Sequence, residues 1–531
     1  MTRREFSLTA AAPLLQAPAG KPLNILWLSC EDTSPTYGCY GDSYAYTPNI
    51  DKFAAEGQRY DNAYSVYPVC APSRSSIITG MYPATIGSHH MRSLAVPPPY
   101  VKCFPEYLRA AGYYTSNNSK TDYNFNAGGG VPVGPWDESS PRAHWRNRPD
   151  KSQPFFSVFN YTTSHESQIR DLRSEATKKL VARLPELHDP AKAPVPPYYP
   201  DTPVVRKDIA SYYDVVSAMD IQVGEALKQL EEDGLRDSTV VFHWGDHGWG
   251  MSRGKRWPYD SGTRVPLIVR WPGTLAPGSN TDELVSLMDL GPTALSLAGV
   301  PVPKHFQAQA FLGPQKTKPR DYVFMARDRM DETYDMMRAV RDKRFRYIRN
   351  YQPGKPYIQA IQYMDAMPTM QEIRRVNKEA FINGPQGGTP LPEGMRNFVA
   401  PEKPVEELYE SIEDKHEIKN LAADPKFKSV LERLRATHLK FMKDTKDLGE
   451  VPESVLVERM RPGNKWETTA APALKVVGGQ VTASCSTEGS SIVYSTGGPR
   501  WLLYTKPVPV VAGMKFKAGR LGFRDSAEVT P

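Results

Sequence analysis

Apolar and polar positions divide this chain before any motif does. Leu23-Asn24-Ile25-Leu26-Trp27-Leu28-Ser29, residues 154–160 and residues 239–244 are short, nearly unbroken apolar runs. Strands of a parallel sheet read this way, because helices cover both faces and neither face is left for polar groups. Gly112-Tyr113-Tyr114-Thr115 reads as a further strand ending near Lys120, and residues 264–273 as another with a turn. Helical spacing appears between them. Thr47-Pro48-Asn49-Ile50-Asp51 opens a helix that carries Phe53-Ala54. Residues 209–230 place Tyr213, Val216, Met219, Ile221, Val223 and Leu227 on one side and stop at Gly234. Residues 140–205 are rich in Pro, Arg and Lys outside their one apolar run, and predict a long irregular excursion.

The pattern changes near residue 315. Alternation in Arg344-Phe345-Arg346-Tyr347-Ile348 predicts a small antiparallel sheet beside the main one, with a helix near 426–444. Pro462-Gly463 and residues 468–472 form a linker. Beyond it, short strands at 482–484, 491–494, 501–504, 508–511 and 516–518 alternate with glycine turns, the pattern of a small β-sandwich. Trp501, Tyr494 and Tyr504 offer a sugar platform there, although alternation puts some of them in the core. The expected organisation is an export signal at 1–20, a catalytic α/β domain at 21–314, a second subdomain at 315–465 and the sandwich at 466–531.

Composition narrows this picture. A chain of 531 residues is too long for one core. No run of about 18 apolar residues predicts a membrane span. A net charge of +7 does not demand nucleic acid, and it suits an anionic substrate through steering. The five cysteines form no evident disulfide framework, with a Cys30–Cys39 link left open. Thr2-Arg3-Arg4-Glu5-Phe6, a short apolar stretch and Ala17-Pro18-Ala19 together resemble a twin-arginine export signal. A periplasmic or extracellular location follows from that reading.

Chemistry collects where the predicted strands end, which is where ligands bind in open α/β sheets. Glu31-Asp32 follows the first strand, and paired carboxylates there suit a hard cation. Gly245-Asp246-His247-Gly248 follows the strand at 239–244. His165, with Glu166 after it, follows the strand at 154–160. Cys70-Ala71-Pro72-Ser73-Arg74 stands apart from these. Pro72 suits the first position of a helix, so Cys70 sits beside free N–H groups, and Arg74 returns to the same face one turn later. That arrangement suits an activated nucleophile beside a fixed cation; a buried structural cysteine is the plainer reading. Gly87-Ser88-His89-His90-Met91-Arg92 is either an anion- or sugar-binding loop or a structural one. Arg329 and Asp331 are candidate rim residues.

Cys70-x-Pro72-Ser73-Arg74 with Thr79-Gly80 resembles the signature of the formylglycine sulfatases. The resemblance runs over roughly residues 21–445. It implies an alkaline-phosphatase-like mixed sheet flanked by helices, and a cysteine oxidised to formylglycine by a formylglycine-generating enzyme. Further implied are a Ca2+ ion at Glu31, Asp32, Cys70, Asp246 and His247, and sulfate held by Arg74, Lys120 and Lys255. His165 would serve the leaving-group oxygen. The family usually has Asp-Asp where this chain has Glu31-Asp32. His247 is a poor calcium ligand and is assigned either to the metal or to a sulfate oxygen. Two positions after the family lysine many members have a histidine that helps break the sulfated intermediate; here Asp122 or another group must act. The sandwich resembles the fibronectin-like module of some hexosaminidases. The implied activity is hydrolysis of sulfate esters or N-sulfates of a carbohydrate. A phosphate or phosphonate ester hydrolase on the same fold, or a glycan-binding protein if Cys70 stays unoxidised, are the alternatives.

Overall fold

The computed structural model describes residues 22–125, 131–170, 173–387 and 391–531. The expected export signal at 1–20 lies outside them. Nine strands among the described residues form the central sheet: β1 (Asn24–Cys30), β2 (Gln58–Tyr64), β3 (Tyr114–Asn118), β4 (Glu138–Ser139), β5 (Phe155–Tyr161), β6 (Thr239–Gly245), β7 (Arg264–Val265), β8 (Leu267–Arg270) and β9 (Ser279–Ser286). The order is β4-β3-β5-β1-β6-β8-β2-β7, with β9 also on β2. β1 lies between β5 and β6, parallel to both, with Leu26 opposite Ser157 and Val241. β8 is antiparallel to β6 and to β2, so β2 again runs with β1. The carboxyl ends of β1, β2, β3, β5 and β6 therefore share one edge.

Every residue of β1 and β6 is buried, as their apolar runs require. Successive side chains of β1 enter opposite layers. Ile25 and Trp27 join one cluster, where Trp27 meets Phe156 and Trp244 edge-on at 4.9 and 5.6 Å. Leu26 and Leu28 join the other, under Ile209, Val216 and Val223 of the helix Pro203–Glu232. That helix starts earlier than its apolar stripe suggests, because Thr202 caps it through Val205 N and a proline opens it. The single strand expected at 264–273 is split into β7 and β8 at Pro266, which has no N–H for a ladder. The excursion at 140–205 is less irregular than expected: beside β5 it carries the helices Glu166–Ile169 and Glu175–Val181.

The second sheet is antiparallel and sequential: β10 (Val323–Arg327), β11 (Met337–Arg341), β12 (Phe345–Asn350) and β13 (Glu406–Glu410). Helix Lys428–Thr445 sets Leu431 and Leu434 against Val340, Tyr347 and Leu408. The last strands are β14 (Ala473–Val477), β15 (Gln480–Ser484), β16 (Ser491–Ser495), β17 (Leu502–Leu503), β18 (Val508–Pro509) and β19 (Lys515–Gly519). They make two three-stranded sheets around Val481, Val508, Met514 and Phe516. Tyr494 stacks on Phe516 at 5.6 Å, and the Tyr504 hydroxyl accepts from Ala483 N at 3.0 Å. Both rings thus serve the core of the sandwich. The sandwich docks on the main body through polar contacts. Lys102 donates to Ser491 Oγ at 2.7 Å, Ser491 donates to Glu106 at 2.7 Å, and Arg500 reaches Asp137 at 3.2 Å.

Arg338 ties the second sheet to the end of its helix. It donates to Asp447 from Nε and Nη2 at 2.7 and 2.9 Å, and both groups are buried. Burial alone would raise the Asp447 carboxyl, but Arg338 outweighs it and lowers the pKa to about 2. A carboxyl lowered on folding contributes stability above its unfolded pKa and loses it as pH falls through the folded value. Asp447→Asn is expected to cost roughly 2 kcal/mol at pH 7. It should also flatten the loss of stability between about pH 4 and 2. Urea unfolding of both proteins across that range checks this, and equal pH slopes would refute it.

Candidate active site

Four strand ends and one helix start meet at the shared edge. Beyond β1, Asp32 adopts φ +51°, a left-handed turn that aspartate tolerates, and its N–H donates to Asp246 Oδ1 at 3.1 Å. Asp246 leaves β6 with its own N–H on Cys30 O at 3.0 Å. β2 leads into the helix Cys70–Thr79, all of it buried. Cys70 is its first residue; Pro72, expected in that place, stands two positions further in. The missing N–H still falls among the four that a helix start leaves free.

Arg74 reaches across this helix start. Nε donates to Asp246 at 3.2 Å, Nη1 to Asn160 Oδ1 at 2.7 Å and Nη2 to Glu31 at 3.3 Å. Ser73 Oγ donates to Asp246 O at 2.6 Å. Lys120, beyond β3, is ion-paired with Glu31 and lies 3.7 Å from Asp122. Lys255 Nζ lies 2.8 and 3.0 Å from the two Asp32 oxygens, 2.8 Å from Glu166 and 3.3 Å from His165 Nε2. Arg256 grips both oxygens of Glu166 at 2.9 Å. A buried chain of alternating charges results: Arg256, Glu166, Lys255, Asp32. Such charges survive burial only when paired.

Cys70 Sγ is 3.3 Å from His247 Nε2 and 3.9 Å from Asp32 Oδ1. Burial pushes its thiol up, but Lys120 and Lys255 outweigh that and bring the pKa down to about 7. His247 Nε2 is also 3.1 Å from Asp32 Oδ1, and Nδ1 donates to Gly248 O at 2.9 Å. Burial opposes charge on His247, yet Asp246, Cys70 and Asp32 together raise its pKa well above the ordinary value. His165 is raised as well: burial and Lys255 act against the proton, and Asp32 with the contact to Cys70 prevail. Its Nδ1 is engaged by Ser167 at 2.9 Å, which leaves Nε2 facing the site.

The residues marked in the sequence thus converge: Glu31, Asp32, Cys70, Arg74, Lys120, His165, Asp246, His247 and Lys255. Two groups place ligand atoms within 4.8 Å of one another: Cys70, Asp246 and His247, and Asp32, Cys70 and His165. Two hard carboxylates with an imidazole between them fit a divalent cation. Glu31 stands outside both groups, drawn to Arg74 and Lys120. His89 and His90 are buried beside the second sheet, where Arg329 N donates to His90 Nδ1 at 3.2 Å. Arg92 pairs with Asp331 at 3.0 Å in the open. Sequence reasoning missed Asn160, Glu166 and Arg256 as site residues. The only signal for the last two was adjacency to His165 and Lys255.

The fold and the site together define a hydrolase of anionic esters. The sulfatase family model matches residues 23–300, and the C-terminal model of N-sulphoglucosamine sulphohydrolase matches residues 245–379. An ulvan-active sulfatase of Formosa agariphila is 40% identical, covering 95% of this chain and 90% of its own. The N-sulphoglucosamine sulphohydrolase of Homo sapiens is 27% identical, covering 83% of this chain and 94% of its own. BT4656, solved with its substrate D-glucosamine-2-N,6-O-disulfate, has a TM-score of 0.56 at 18% identity, covering 82% of this chain and 99% of that one. This chain belongs to the sulfatase family and is a sulfuric ester hydrolase.

The cations set the thiol's acidity, so titration of the Cys70 thiol offers a direct check. The thiolate absorbance lost in Cys70→Ala should titrate with a midpoint near pH 7. Lys255→Met should move that midpoint upward, toward the free-thiol value of about 8.5. An unmoved midpoint would refute the electrostatic account.

Proposed function

We propose that this sulfatase removes sulfate from a sulfated carbohydrate, as an ester or an N-sulfate, using formylglycine made from Cys70 and a bound Ca2+. The observation that carries this reading is the set of cations Arg74, Lys120 and Lys255 about Cys70, with Asp32 paired to Lys255 and Asp246 to Arg74 beside it. The substrates named for the similar proteins, ulvan and a disulfated glucosamine, support a carbohydrate. Oxidation of Cys70 requires a formylglycine-generating enzyme as a partner. The Arg3-Arg4 motif supports an exported, periplasmic or extracellular location. No helix among the described residues is long and apolar enough to cross a membrane.

Asp32, Asp246 and His247 would hold the calcium beside position 70, and Glu31 would join them only by leaving Arg74 and Lys120. When present, the aldehyde hydrate supplies an oxygen nucleophile and the ion supplies positive charge to the sulfate. The rest of the work falls to the chain's own groups. Arg74, Lys120 and Lys255 neutralise the anionic oxygens, and because they are already fixed by carboxylates they need little reorganisation. His165, held by Ser167 through Nδ1 and raised in pKa, turns Nε2 toward Lys255 and the site, and would protonate the departing oxygen. Asp246 has an oxygen within 4.8 Å of the Cys70 sulfur and is the candidate to take a proton there. Asp122, beside Lys120, remains the candidate for the step that a histidine serves in other members.

At neutral pH the imidazolium of His247 balances Asp32 and Asp246. A cation held by the two carboxylates would replace that charge, so Ca2+ binding should release protons and tighten as pH rises. Calorimetry in buffers of different ionisation enthalpy measures the release. Asp32→Asn and Asp246→Asn should lose both metal and turnover, and bound metal retained in both variants would refute the site. Cys70→Ala should abolish turnover while leaving the circular dichroism spectrum unchanged. The mass of the residue-70 peptide from active protein tests for formylglycine, and turnover of sulfate against phosphate esters tests the ester class.

A further inference from the structure

Tyr363 lies on the exposed side of a segment anchored by buried neighbours. It lies on the short helix Gln362–Asp365, between Ile361 and Met364, both buried. Glu332 accepts from Gln362 N, and Arg374 donates to Asp365 at 2.8 and 3.0 Å. On this fixed support the Tyr363 ring remains 40% exposed. Its centroid is 6.2 Å from that of His165, edge to face. Arg170 places its guanidinium carbon 5.0 Å over the same ring. Arg74, Lys120, Lys255 and Arg256 are each paired with carboxylates. Arg170 has no carboxylate partner among the described residues, and its buried Nε has no hydrogen-bond partner among them.

We propose that Tyr363 and Arg170 form the subsite for the sugar that carries the leaving oxygen. Tyr363 stacks on the sugar's apolar face, and Arg170 pairs with a second anionic group of the same saccharide, a carboxylate or another sulfate. The inference rests on the carbohydrate sulfatase reading. The connectivity follows from His165: the oxygen it protonates is bonded to the leaving sugar, so that sugar lies beside His165, where Tyr363 is. An amphipathic ring gives large contact at small conformational cost. A guanidinium held over the ring by cation–π attraction keeps its fork free for a planar anion. The two side chains come from segments nearly two hundred positions apart. The subsite therefore exists only when the second subdomain is docked.

Binding to calcium-loaded Cys70→Ala protein, which cannot turn over, tests this by calorimetry. One probe pair is glucosamine 2-N-sulfate with glucosamine 2-N,6-O-disulfate. The other is a sulfated uronate-containing disaccharide with its carboxyl-reduced counterpart. In at least one pair the more charged ligand should bind more tightly, and that pair identifies the second group as sulfate or carboxylate. Arg170→Gln should cut that preference about tenfold, and Arg170→Lys should restore part of it. Tyr363→Ala should weaken both members of the pair alike, and Tyr363→Phe should not. In the active enzyme the same losses should fall on KM more than on kcat. A preference that Arg170→Gln leaves intact overturns the subsite while the substrate class stands. Binding of none of the four probes, with no turnover of sulfated saccharides by the active enzyme, overturns the carbohydrate reading and the subsite with it.

Discussion

Burial of charge at the carboxyl edge of the sheet is the constraint on which the rest of the structure depends. Glu31, Asp32, Glu166 and Asp246 face Arg74, Lys120, Lys255 and Arg256, and seven of these eight side chains are at most 4% exposed, Lys120 being the exception at 20%. Four anions against four cations leave the set near neutral. Remove one member and its partner becomes an uncompensated buried charge, which is strongly destabilising. Such a set cannot be assembled from one element. It needs several strand ends at one edge, which the parallel arrangement of β1, β3, β5 and β6 provides.

The second sheet holds this edge in place. The turn that carries Lys255 and Arg256 has two residues at positive φ, Arg253 at +61° and Arg256 at +84°. Neither is a conformation that a long side chain prefers, so neighbours must impose it. Arg253 lies over the rings of Tyr198 and Tyr259 and donates to the carbonyls of His416 and Glu417 at 2.9 and 2.6 Å. Arg327 of β10 donates to Arg256 O at 2.9 Å. Arg346 of β12 pairs with Glu417 at 2.7 Å, and Glu417 accepts from Asp260 N at 2.8 Å. Residues from beyond position 315 thus fix the lysine that meets Asp32, and the two sheets form one functional unit.

How much was legible in the sequence follows from these same forces. β1, β5 and β6 were readable because a strand covered on both faces has no choice but to be apolar. β2, Gln58-Arg59-Tyr60-Asp61-Asn62-Ala63-Tyr64, was not. It lies toward the sheet margin, where Arg59 and Asp61 pair with each other in partial exposure, and its polar alternation resembles a loop. β9 was lost for the same reason. In the site, Asp32 and Asp246 were legible because they follow apolar strands, and Cys70 and Arg74 because they lie in one short motif at a helix start; Lys255, in a turn, was legible only through the family resemblance. Asn160, Glu166 and Arg256 were not, since their roles are pairings across distant segments, and the last two were marked only by adjacency to His165 and Lys255. Glu31, in the expected place, pairs with Arg74 and Lys120, just as Asp32 pairs with Lys255 and Asp246 with Arg74.

The division between legible and hidden residues also separates chemistry from selectivity. The groups proposed to neutralise sulfate lie on the sheet edge, where backbone geometry fixes them. The groups beside His165 proposed to meet the rest of the substrate come from the 166–170 and 361–365 segments, which touch only in the folded chain. A change at Arg170 or Tyr363 leaves every charge pair of the buried edge intact, whereas a change at Asp32 or Lys255 breaks one. Selectivity can therefore vary at little cost to stability, while the catalytic edge cannot. The same asymmetry explains why the motifs define the reaction class and leave the sugar undefined.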